Sequence, residues 1–472
     1  MRSRLSATSA LLASVQLLSL VPATFGQISI DLNSADSLKN AAKTVMKSMV
    51  KDYTGQQPFT AGLLPNGYGL FESGLFFNTI LDYAAFTGDS SYNGLFEKDF
   101  FAQIGPNADF VPANKTEGVA NDDVGYWALT AMTAAEYGAK PADSSSPAYL
   151  DLAKNVFNAF VSRWDTANCK GGLRWTIYNF QNGYDFKDTN SNGIFFELAA
   201  RLGAQTGNKT YFDWATKVFD WTAKTGLTDV EANPGTGVVY AGASVQDNCK
   251  DLDKTFYSAQ HANYLLGCAV MFNATGSQTW LDRAILLTSY ASVTYFGPQM
   301  YVDDGTSQVV IEQACEFEDK CNNDQKAGKS VLFRSLAGAM RLNKKGEIAN
   351  SLTVQLNNSA KAAGKSCQDN GNCGFKWSDL KYDPTKGTGF GEKMAAIESW
   401  MAIVRRANAN PDTAVFQADT SNQPSTTSGS PSGSSSTPGA TQTSSTPNSG
   451  SKVMAGSALG VMAAISFLNM LL

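Results

Sequence analysis

The fold is decided by a short phrase, Thr206-Gly207-Asn208-Lys209-Thr210-Tyr211, which recurs as Thr87–Tyr92 and Thr275–Trp280. Each copy reads Thr-Gly-x-x-(Ser/Thr)-aromatic and separates two helical patterns. The glycine can end one helix in a left-handed conformation, and a polar residue after it can cap the next helix. The aromatic ring would then pack in the elbow. Each phrase therefore predicts a helical hairpin.

The two helices of each hairpin differ in character. The leading helix is apolar all round, whereas the following one is amphipathic, with Val156, Phe157 and Phe160 on one face and Asp151 and Lys154 on the other. A helix that is apolar all round is buried, and an amphipathic helix covers it. The leading patterns span residues 74–86, 124–137, 194–202, 262–272, 331–342 and 394–404.

These leading patterns recur with a loose period. They begin near Glu72, Asp122, Gly193, His261, Lys326 and Glu392, in steps of 50, 71, 68, 65 and 66 residues. Six inner helices inside six outer helices close into an all-α (α/α)6 barrel, which is the predicted fold class. An open α-solenoid is the alternative, but its exposed concave surface would need more polar inner helices.

Composition argues against several functional classes. The 472 residues are 43% hydrophobic and 17% charged, with a formal net charge of -5. A nucleic-acid partner is not expected, because phosphate binding requires clustered Lys and Arg. His261 is the single histidine, which disfavours a Ser-His-Asp triad and a His-rich zinc site. No metal and no other cofactor is predicted.

Both ends of the chain resemble targeting signals. Residues 1–26 contain two arginines, an apolar run and small residues near the end, which is typical of a cleaved secretory signal peptide. Residues 451–472 consist mainly of an apolar tail that no basic segment follows. This tail predicts attachment of a glycosylphosphatidylinositol (GPI) lipid near Asn448, Ser449 and Gly450. A tail-anchored transmembrane helix is the alternative.

The sequence between these signals divides in two. Residues 27–418 carry the helical repeat and form the predicted folded domain. Residues 419–450 are almost entirely Ser, Thr, Pro, Gly, Asn and Gln, which cannot build a core and predict a disordered, O-glycosylated stalk. Four N-glycosylation sequons fit a secreted surface, at Asn114, Asn208, Asn273 and Asn357.

Seven cysteines fit the same secretory compartment. Cys268 lies within an apolar helical pattern and is predicted to be a core residue outside the disulfides. Proximity in sequence favours the pairs Cys315–Cys321 and Cys367–Cys373, which leaves Cys169 to pair with Cys249. The paired spacing also suits a metal site, but the intervals in a secreted chain favour disulfides.

Two adjacent carboxylates, Asp122 and Asp123, stand at the start of the second apolar helix. A buried carboxylate pair has shifted pKa values, which suit acid–base catalysis. The alternative is a helix cap, because acceptor side chains satisfy free N–H groups and negative charge favours the positive end of the helix dipole. Taken alone, the pair favours the cap.

The loops that enter the inner helices should converge on one face of such a barrel. They are rich in aromatic rings, which stack on the apolar faces of sugars, and in Asn, Asp and Arg, which bind hydroxyls. Packing or capping is the alternative for most of them, and fewer than half are expected to contact a ligand. The candidate substrate-binding residues are Tyr68, Glu72, Asn121, Tyr126, Arg174, Trp175, Asn182, Tyr184, Asn192, Asp324 and Trp377.

One segment of these loops imitates a calcium site. The stretch from Asp188 to Gly193 copies the start of an EF-hand loop, but the twelfth position is Ala199 instead of Glu. Calcium binding is therefore not predicted, and Asn190 or Asn192 is interpreted as a helix cap.

Four motifs together resemble glycoside hydrolase family 76. They are Asn121–Ala128, Gly171–Trp175, Asn182–Tyr184 with Ser191–Gly193, and Cys373–Trp377. The resemblance covers nearly the whole of 31–418. With the lipid-anchor signal and the stalk, the chain resembles the fungal cell-wall branch of that family, GPI-anchored endo-α-1,6-mannosidases implicated in linking glycoproteins to wall glucan. An (α/α)6 fold is implied.

The resemblance also implies a catalytic Asp-Asp pair. Asp122 would be the nucleophile that forms a mannosyl-enzyme, and Asp123 the general acid and then base, although the roles could be exchanged. Neighbouring Cα atoms are about 3.8 Å apart, so the carboxyls can lie near the roughly 5 to 5.5 Å separation of retaining glycosidases. Retention is therefore predicted.

The implied substrate is an α-mannose-containing glycan, either a GPI core or α-1,6-mannan. The predicted reaction cleaves an α-mannosyl linkage in a GPI-type glycan and transfers the glycoprotein to a β-glucan acceptor of the wall. Plain hydrolysis by a mannan endo-1,6-α-mannosidase is the first alternative, and a non-catalytic glycan-binding wall protein is the second. A secreted monomer is expected at the outer face of the cell membrane or in the wall.

Overall fold

The computed structural model describes residues 25–416, apart from 56–58, 114–117, 231–234, 297–307, 344–345, 387, 408–410 and 412. Nearly all of the predicted signal peptide, the stalk, the attachment residues Asn448, Ser449 and Gly450, and the sequon at Asn114 lie outside the described residues. The α-helices are α1 Ala35–Gly55, α2 Leu70–Thr87, α3 Asn93–Phe100, α4 Asn121–Glu136, α5 Tyr149–Arg163, α6 Thr189–Thr206, α7 Lys209–Lys224, α8 Ser258–Thr275, α9 Gln278–Thr294, α10 Asn323–Leu342, α11 Glu347–Ser351, α12 Thr353–Ser366 and α13 Phe390–Ala407.

Six of these helices form a closed inner ring. Helix α2 packs on α4, α4 on α6, α6 on α8, α8 on α10, α10 on α13, and α13 returns to α2. They coincide with the six patterns that are apolar all round, and side chains such as Phe76, Trp127, Phe196 and Trp400 are fully buried in them. Because the ring closes, the barrel prediction is confirmed and the open solenoid is wrong.

The outer helices cover this ring. Helix α3 packs on α2, α5 on α4, α7 on α6 and α9 on α8, while α12 and α1 both pack on α13. Helix α5 buries Val156, Phe157 and Phe160 and exposes Asp151, as its amphipathic pattern predicts. The first and last helices of the barrel therefore meet, and the N-terminal helix fills the last outer position.

The repeated phrase forms the predicted hairpins. Gly88, Gly207 and Gly276 each end an inner helix in the left-handed region, with φ of 79°, 69° and 68°. The next helix begins within a few residues of each glycine. Asn208 caps α7 by accepting a hydrogen bond from Thr210 N at 3.0 Å. In all three copies the glycine thus ends the inner helix in the same way, whereas Asn208 alone caps the following helix with its side chain, since Tyr92 and Ser277 make no such bond.

The cysteine pairing is confirmed. Disulfides join Cys169 to Cys249, Cys315 to Cys321, and Cys367 to Cys373. Cys268 is buried in α8 outside these bonds. The first disulfide lies in a small second core with Trp221, beside the opening of the barrel.

Two surface features bear on the predicted location. Asn208 and Asn273 are exposed and Asn357 is half-buried, so three sequons are placed on described helices, while their glycosylation stays a prediction. None of the helices in the described part of the chain is long and apolar enough to cross a membrane.

Candidate active site

The candidate site lies where the inner helices begin. A small antiparallel sheet of β1 Phe186–Asp188, β2 Gly242–Ser244 and β3 Leu252–Asp253, in that order, stands at this end. Strand β1 leads directly into α6, so the sheet fixes the point at which this inner helix starts. The first turns of α2, α4, α6, α8 and α10 contribute side chains to one cleft.

The cleft has two lobes. The first lobe has a volume of about 400 Å³ and is bounded by Glu72, Asp123, Gln181 and Asn182 among others. The second lobe has a volume of about 500 Å³ and is bounded on its far side by residues of the small sheet, α8 and α10. Five residues line both lobes: Phe71, Asp122, Trp175, Asn190 and Asp324. Asp122 therefore stands between two compartments of sugar-binding size.

Asp122 accepts three hydrogen bonds from the protein. One carboxylate oxygen binds the backbone N–H of Asp123 at 3.0 Å, and the other binds Trp175 Nε1 at 3.3 Å and Asn190 Nδ2 at 3.1 Å. All three donors are neutral. They favour the ionised carboxylate and hold it at the junction of the two lobes.

Asp123 is held by backbone groups instead. Its oxygens accept hydrogen bonds from Ala120 N at 2.8 Å and from Phe71 N at 3.1 Å. Ala120 is the residue that precedes α4, so Asp123 reaches back across the first turn as the acid of a capping box does. The cap interpretation of the pair therefore applies to Asp123, which lines the first lobe as well.

Burial raises the pKa of both carboxyls. The pKa of Asp122 rises to about 6, since burial and the charge of Asp324 outweigh the bonds from Asn190, Asp123 N and Trp175. Burial and the adjacent charge of Asp122 hold the pKa of Asp123 well above its usual range. An ionised Asp122 beside a protonated Asp123 is the pairing that a nucleophile and a general acid require.

The amide of Asn190 is oriented by two buried side chains, those of Tyr126 and Asn263. Its Oδ1 accepts hydrogen bonds from Tyr126 Oη at 3.1 Å and from Asn263 Nδ2 at 3.3 Å, and Asn263 Nδ2 lies 3.1 Å from Tyr126 Oη. With its oxygen occupied in this way, the amide must present Nδ2 to Asp122. Tyr126 is 2% exposed and lines neither lobe, so the predicted substrate contact is replaced by a positioning contact.

Further carboxyls surround the pair. Burial, a hydrogen bond with Asp324 and the charge of that carboxylate raise the pKa of Glu72 to about 8. Burial and the charge of Asp122 raise the pKa of Asp188 to about 7. Asp188 is the N-cap of α6, where it accepts a hydrogen bond from Ser191 N at 2.7 Å. The assignment of that cap to Asn190 or Asn192 is therefore wrong.

The structure brings six of the predicted residues together. Asp122 and Asp123 share the cleft with four of the candidate substrate-binding residues: Glu72, Trp175, Asn182 and Asp324. Trp175 is 40% exposed, so its ring is open to a ligand. Gly183 makes room for that ring, because a Cβ at this position, with φ of +88°, would lie 2.3 Å from Trp175.

The other candidates line neither lobe. Asn121 is 1% exposed, and its amide oxygen accepts from Arg163 while its amide nitrogen donates to the carbonyl of Arg174. Asn192 bonds to both the N–H and the carbonyl of Leu173. Trp377 is fully buried in the core, where its Nε1 donates to Gly374 O at 3.0 Å. These three side chains hold loops in place and are not available to a substrate.

Three further candidates also serve the framework. Arg174 donates to Asp165 Oδ2 at 3.1 Å and to the carbonyl of Tyr184 at 2.8 Å, and its guanidinium stacks on the ring of Tyr184. Tyr68 accepts a hydrogen bond from Phe390 N at 3.0 Å. Together with Tyr126, these residues support the loops that border the cleft.

Several lining residues were not predicted from the sequence. Phe71 and Asn190 line both lobes, and Gln260 lines the second. Each lies within or next to the first turn of an inner helix. That position was the available signal, because the first turns of all the inner helices face the same end of the barrel.

His261 takes no part in the cleft. Its Nε2 lies 2.8 Å from Leu287 O, and it lines neither lobe. Burial lowers its pKa to about 4, so the ring is neutral. Among the residues that the structure describes, no group of three or more His, Cys, Asp or Glu side chains could hold a metal ion.

The family model of glycosyl hydrolase family 76 matches residues 37–414. The chain belongs to this family. The enzyme is 35% identical over 375 residues to mannan endo-1,6-alpha-mannosidase DCW1 of Saccharomyces cerevisiae, which covers 79% of this chain and 80% of that protein. It is 32% identical over 397 residues to mannan endo-1,6-alpha-mannosidase DFG5 of Candida albicans, covering 83% and 84%.

Solved structures agree with this assignment. Dfg5 from Chaetomium thermophilum, crystallised in complex with glucosamine, is 33% identical and superposes with a TM-score of 0.73, covering 81% of this chain and 93% of that one. The α-1,6-mannanase GH76A of Salegentibacter sp. HEL1_6 is 16% identical with a TM-score of 0.62, covering 77% and 98%, and shares the fold. The enzyme is therefore a glycoside hydrolase with an (α/α)6 barrel.

Proposed function

We propose that this glycoside hydrolase is a retaining α-mannosidase that uses Asp122 and Asp123 to cleave an α-mannosyl linkage of a GPI-type glycan and transfers the glycan, with its attached protein, to a wall glucan. The observation that carries the proposal is the position of Asp122 between two lobes, with Trp175 bordering both. One lobe can hold the donor sugar while the other receives the leaving group and then the acceptor.

The reaction has two displacements. Asp122 attacks the anomeric carbon of the mannose while Asp123 gives its proton to the departing glycosidic oxygen, so a C–O ester bond forms as the glycosidic bond breaks. Asp123, now ionised, takes a proton from an incoming hydroxyl, whose oxygen attacks the same carbon and releases Asp122. Water as the incoming group gives hydrolysis, and a sugar hydroxyl gives transfer.

The charge of the cleft supports a GPI-type donor. Both lobes are lined by carboxyls, including Glu72, Asp188 and Asp324, and none of the described lining residues is Lys or Arg. A GPI core carries glucosamine next to mannose, and an ammonium group suits such a cleft better than a neutral sugar does. Dfg5 of Chaetomium thermophilum, whose structure contains glucosamine, is a similar protein.

The location of the enzyme favours transfer. Removal of 1–26, attachment of a GPI lipid near Asn448, Ser449 or Gly450 and a stalk at 419–450 would hold the monomeric barrel at the outer membrane face. A tether keeps the enzyme close to wall polysaccharide and to GPI-linked glycoproteins, because it replaces diffusion by a short reach. Sugar hydroxyls then compete with water for the mannosyl-enzyme.

Plain hydrolysis of α-1,6-mannan is the second candidate. The names of the curated relatives, mannan endo-1,6-alpha-mannosidases, favour it. The two candidates share the donor step and differ in the incoming hydroxyl and in the substrate that carries the mannose.

Mass spectrometry of the products tests the proposal. The purified enzyme is incubated with a mannose-glucosamine GPI-core fragment or with α-1,6-mannan, with and without β-glucan oligomers, beside an Asp122→Asn/Asp123→Asn control. We expect transfer products from the GPI fragment that increase with acceptor concentration. Water-quenched products at every acceptor concentration would refute transfer and favour hydrolysis. Glycan binding without turnover in both proteins would favour a lectin.

A further inference from the structure

The loop from Trp175 to Phe186 carries an exposed aromatic pair that the reaction above does not use. The rings of Tyr178 and Phe180 are stacked, with centroids 5.4 Å apart and 8° between their planes. Phe180 is 65% exposed, more than any other Phe or Trp of the described residues. A large aromatic ring left in water often marks a binding surface. We call Tyr178 and Phe180 the aromatic platform.

The loop holds this platform in a fixed place. The carbonyl of Trp175 accepts a hydrogen bond from Asn121 N at 2.8 Å, next to the catalytic pair. Further along, Tyr178 N donates to Gln181 Oε1 at 2.8 Å, and Gln181 Nε2 donates to Val119 O at 3.2 Å. Because both arms of the loop are bonded to residues 119–121, where α4 begins, a ligand on the platform would not have to order the loop first.

The platform adjoins the first lobe. Gln181 and Asn182, which follow Phe180 directly, line that lobe, and so does Thr176 on the other side of the pair. Trp175, at the start of the loop, borders both lobes. Aromatic rings therefore occur both at the junction of the lobes and on the loop that borders the first lobe.

We propose that the aromatic platform is an outer subsite that binds a hexopyranose of the glycan chain whose reacting end occupies the first lobe; this inference rests on the proposed glycosidase function. The apolar C–H face of a pyranose ring packs on an aromatic face. Phe180 offers no polar atom, so it does not read the configuration of hydroxyl groups. The subsite therefore measures the length of the chain, and both an α-1,6-mannan segment and a β-glucan segment have the required ring.

Binding to an inactive enzyme tests the subsite without turnover. In an Asp122→Asn/Asp123→Asn background, calorimetry measures the affinity for α-1,6-linked mannose oligomers and for β-glucan oligomers, each from disaccharide to long chain. Phe180→Leu removes the ring and keeps an apolar side chain, whereas Phe180→Trp keeps an aromatic face. Phe317→Leu is the matched control, since Phe317 is 49% exposed and lines neither lobe.

We expect long oligomers of at least one series to bind more tightly than short ones. Phe180→Leu should remove about 3- to 10-fold of that gain, while Phe180→Trp and Phe317→Leu should retain it. The series that shows the gain identifies the chain on the platform. An affinity that does not depend on oligomer length would overturn the subsite and leave the proposed function standing. The same holds for a gain in affinity with length that Phe180→Leu leaves intact. Failure of every oligomer to bind would overturn the subsite and, with it, the wall-glucan acceptor of the proposed function.

Discussion

Two groups of carboxylates lie toward opposite ends of the inner helices, and their partners differ. At the beginning of α4, Asp122 and Asp123 are held by amide and indole N–H groups. Toward the ends of the inner helices, Asp82 of α2 is paired with the guanidinium groups of Arg334 and Arg405. Asp82 is fully buried, whereas Asp122 and Asp123 are half-buried in the cleft, and a positive charge accompanies only Asp82.

The pKa values move in opposite directions as a result. Burial alone would raise the pKa of Asp82, but Arg334 and Arg405 lower it below its usual value, and Tyr137 Oη donates a further hydrogen bond at 2.6 Å. Burial raises the pKa of Asp122 to about 6, since its donors are neutral. Burial is therefore common to a framework carboxylate and a reactive one, and the charge of the partner separates them.

The largest effect expected is on turnover. Asp122→Asn should lower kcat by at least ~10³-fold, because it removes the attacking oxygen, and should leave the barrel folded because no buried cation loses its partner. Release of product from the mannose-glucosamine fragment measures turnover, and circular dichroism measures whether the barrel is folded. Asp151→Asn, on the outer face of α5, is the control. A variant retaining more than roughly a tenth of the parent turnover would exclude Asp122 as nucleophile.

At Asp82 the main effect is expected on stability instead of on turnover. Asp82→Asn should destabilise the protein by about 3 to 5 kcal/mol, because the buried guanidinium of Arg405 and the half-buried guanidinium of Arg334 lose the carboxylate that they share. Of the carboxylates in the described residues, Arg405 then keeps only that of Glu398, at 3.4 Å. Urea unfolding measures this loss. Asp151→Asn serves again as the control: its carboxylate pairs with Lys154 at 3.1 Å on the surface, where such a pair is worth about 1 kcal/mol or less. Equal losses in both variants would show that the guanidinium pairing at Asp82 has no special role.

A smaller effect on turnover is expected when Asn190, which positions Asp122, is replaced. Asn190→Ala removes one donor and frees the carboxylate to shift, which should lower kcat about 10²-fold. Loss of that donor also raises the pKa of Asp122, so the acid limb of the pH–rate profile, expected near 6 in the parent, should move to higher pH. A profile that falls uniformly without moving would assign Asn190 a structural role only.

A further effect is expected on the pH dependence of stability. The pKa of Glu72 is about 8 in the folded protein and about 4.3 when unfolded. An acid that binds its proton more tightly when folded makes the protein less stable as the pH rises between these values, whereas a carboxylate with a lowered pKa, such as Asp82, costs stability as the pH falls.

Glu72→Gln should therefore reduce the loss of stability between pH 4.3 and 8. Urea unfolding of parent and variant at a series of pH values measures the difference. Parallel stability curves for the two proteins would mean that Glu72 is ionised in the folded state.

The fold could be predicted because its determinants are local. An all-round apolar helix next to an amphipathic one identifies inner and outer positions, and the glycine of the repeated phrase ends the inner helix in three places. The short disulfide loops could be paired by proximity for the same reason. Contacts between distant segments, such as that of α1 with α13, could be predicted only by assuming that the ring closes.

The site could be predicted only in part. Glu72, Asp122 and Asp324 were found because the start of a helix locates them on one face of the barrel. Asn192 and Trp377 have the same side-chain chemistry as sugar-binding residues. Asn192 is bonded to Leu173 of another loop, however, and Trp377 packs on Phe333 of α10. Sequence spacing does not reveal those contacts. The helix cap was misplaced because Asp188 and Asn190 are both good caps, and the choice depends on where β1 ends.

The meeting of α1 with α13 has a consequence for the synthesis of the protein. The apolar face of α1, which includes Leu38, Val45 and Met49, is buried in the finished barrel. Its partner α13 is among the last helices to leave the ribosome, and contacts between such distant segments form late. During synthesis the N-terminal helix must therefore keep an uncovered apolar face until the sixth inner helix arrives, and this is the interval in which chaperones would be needed most.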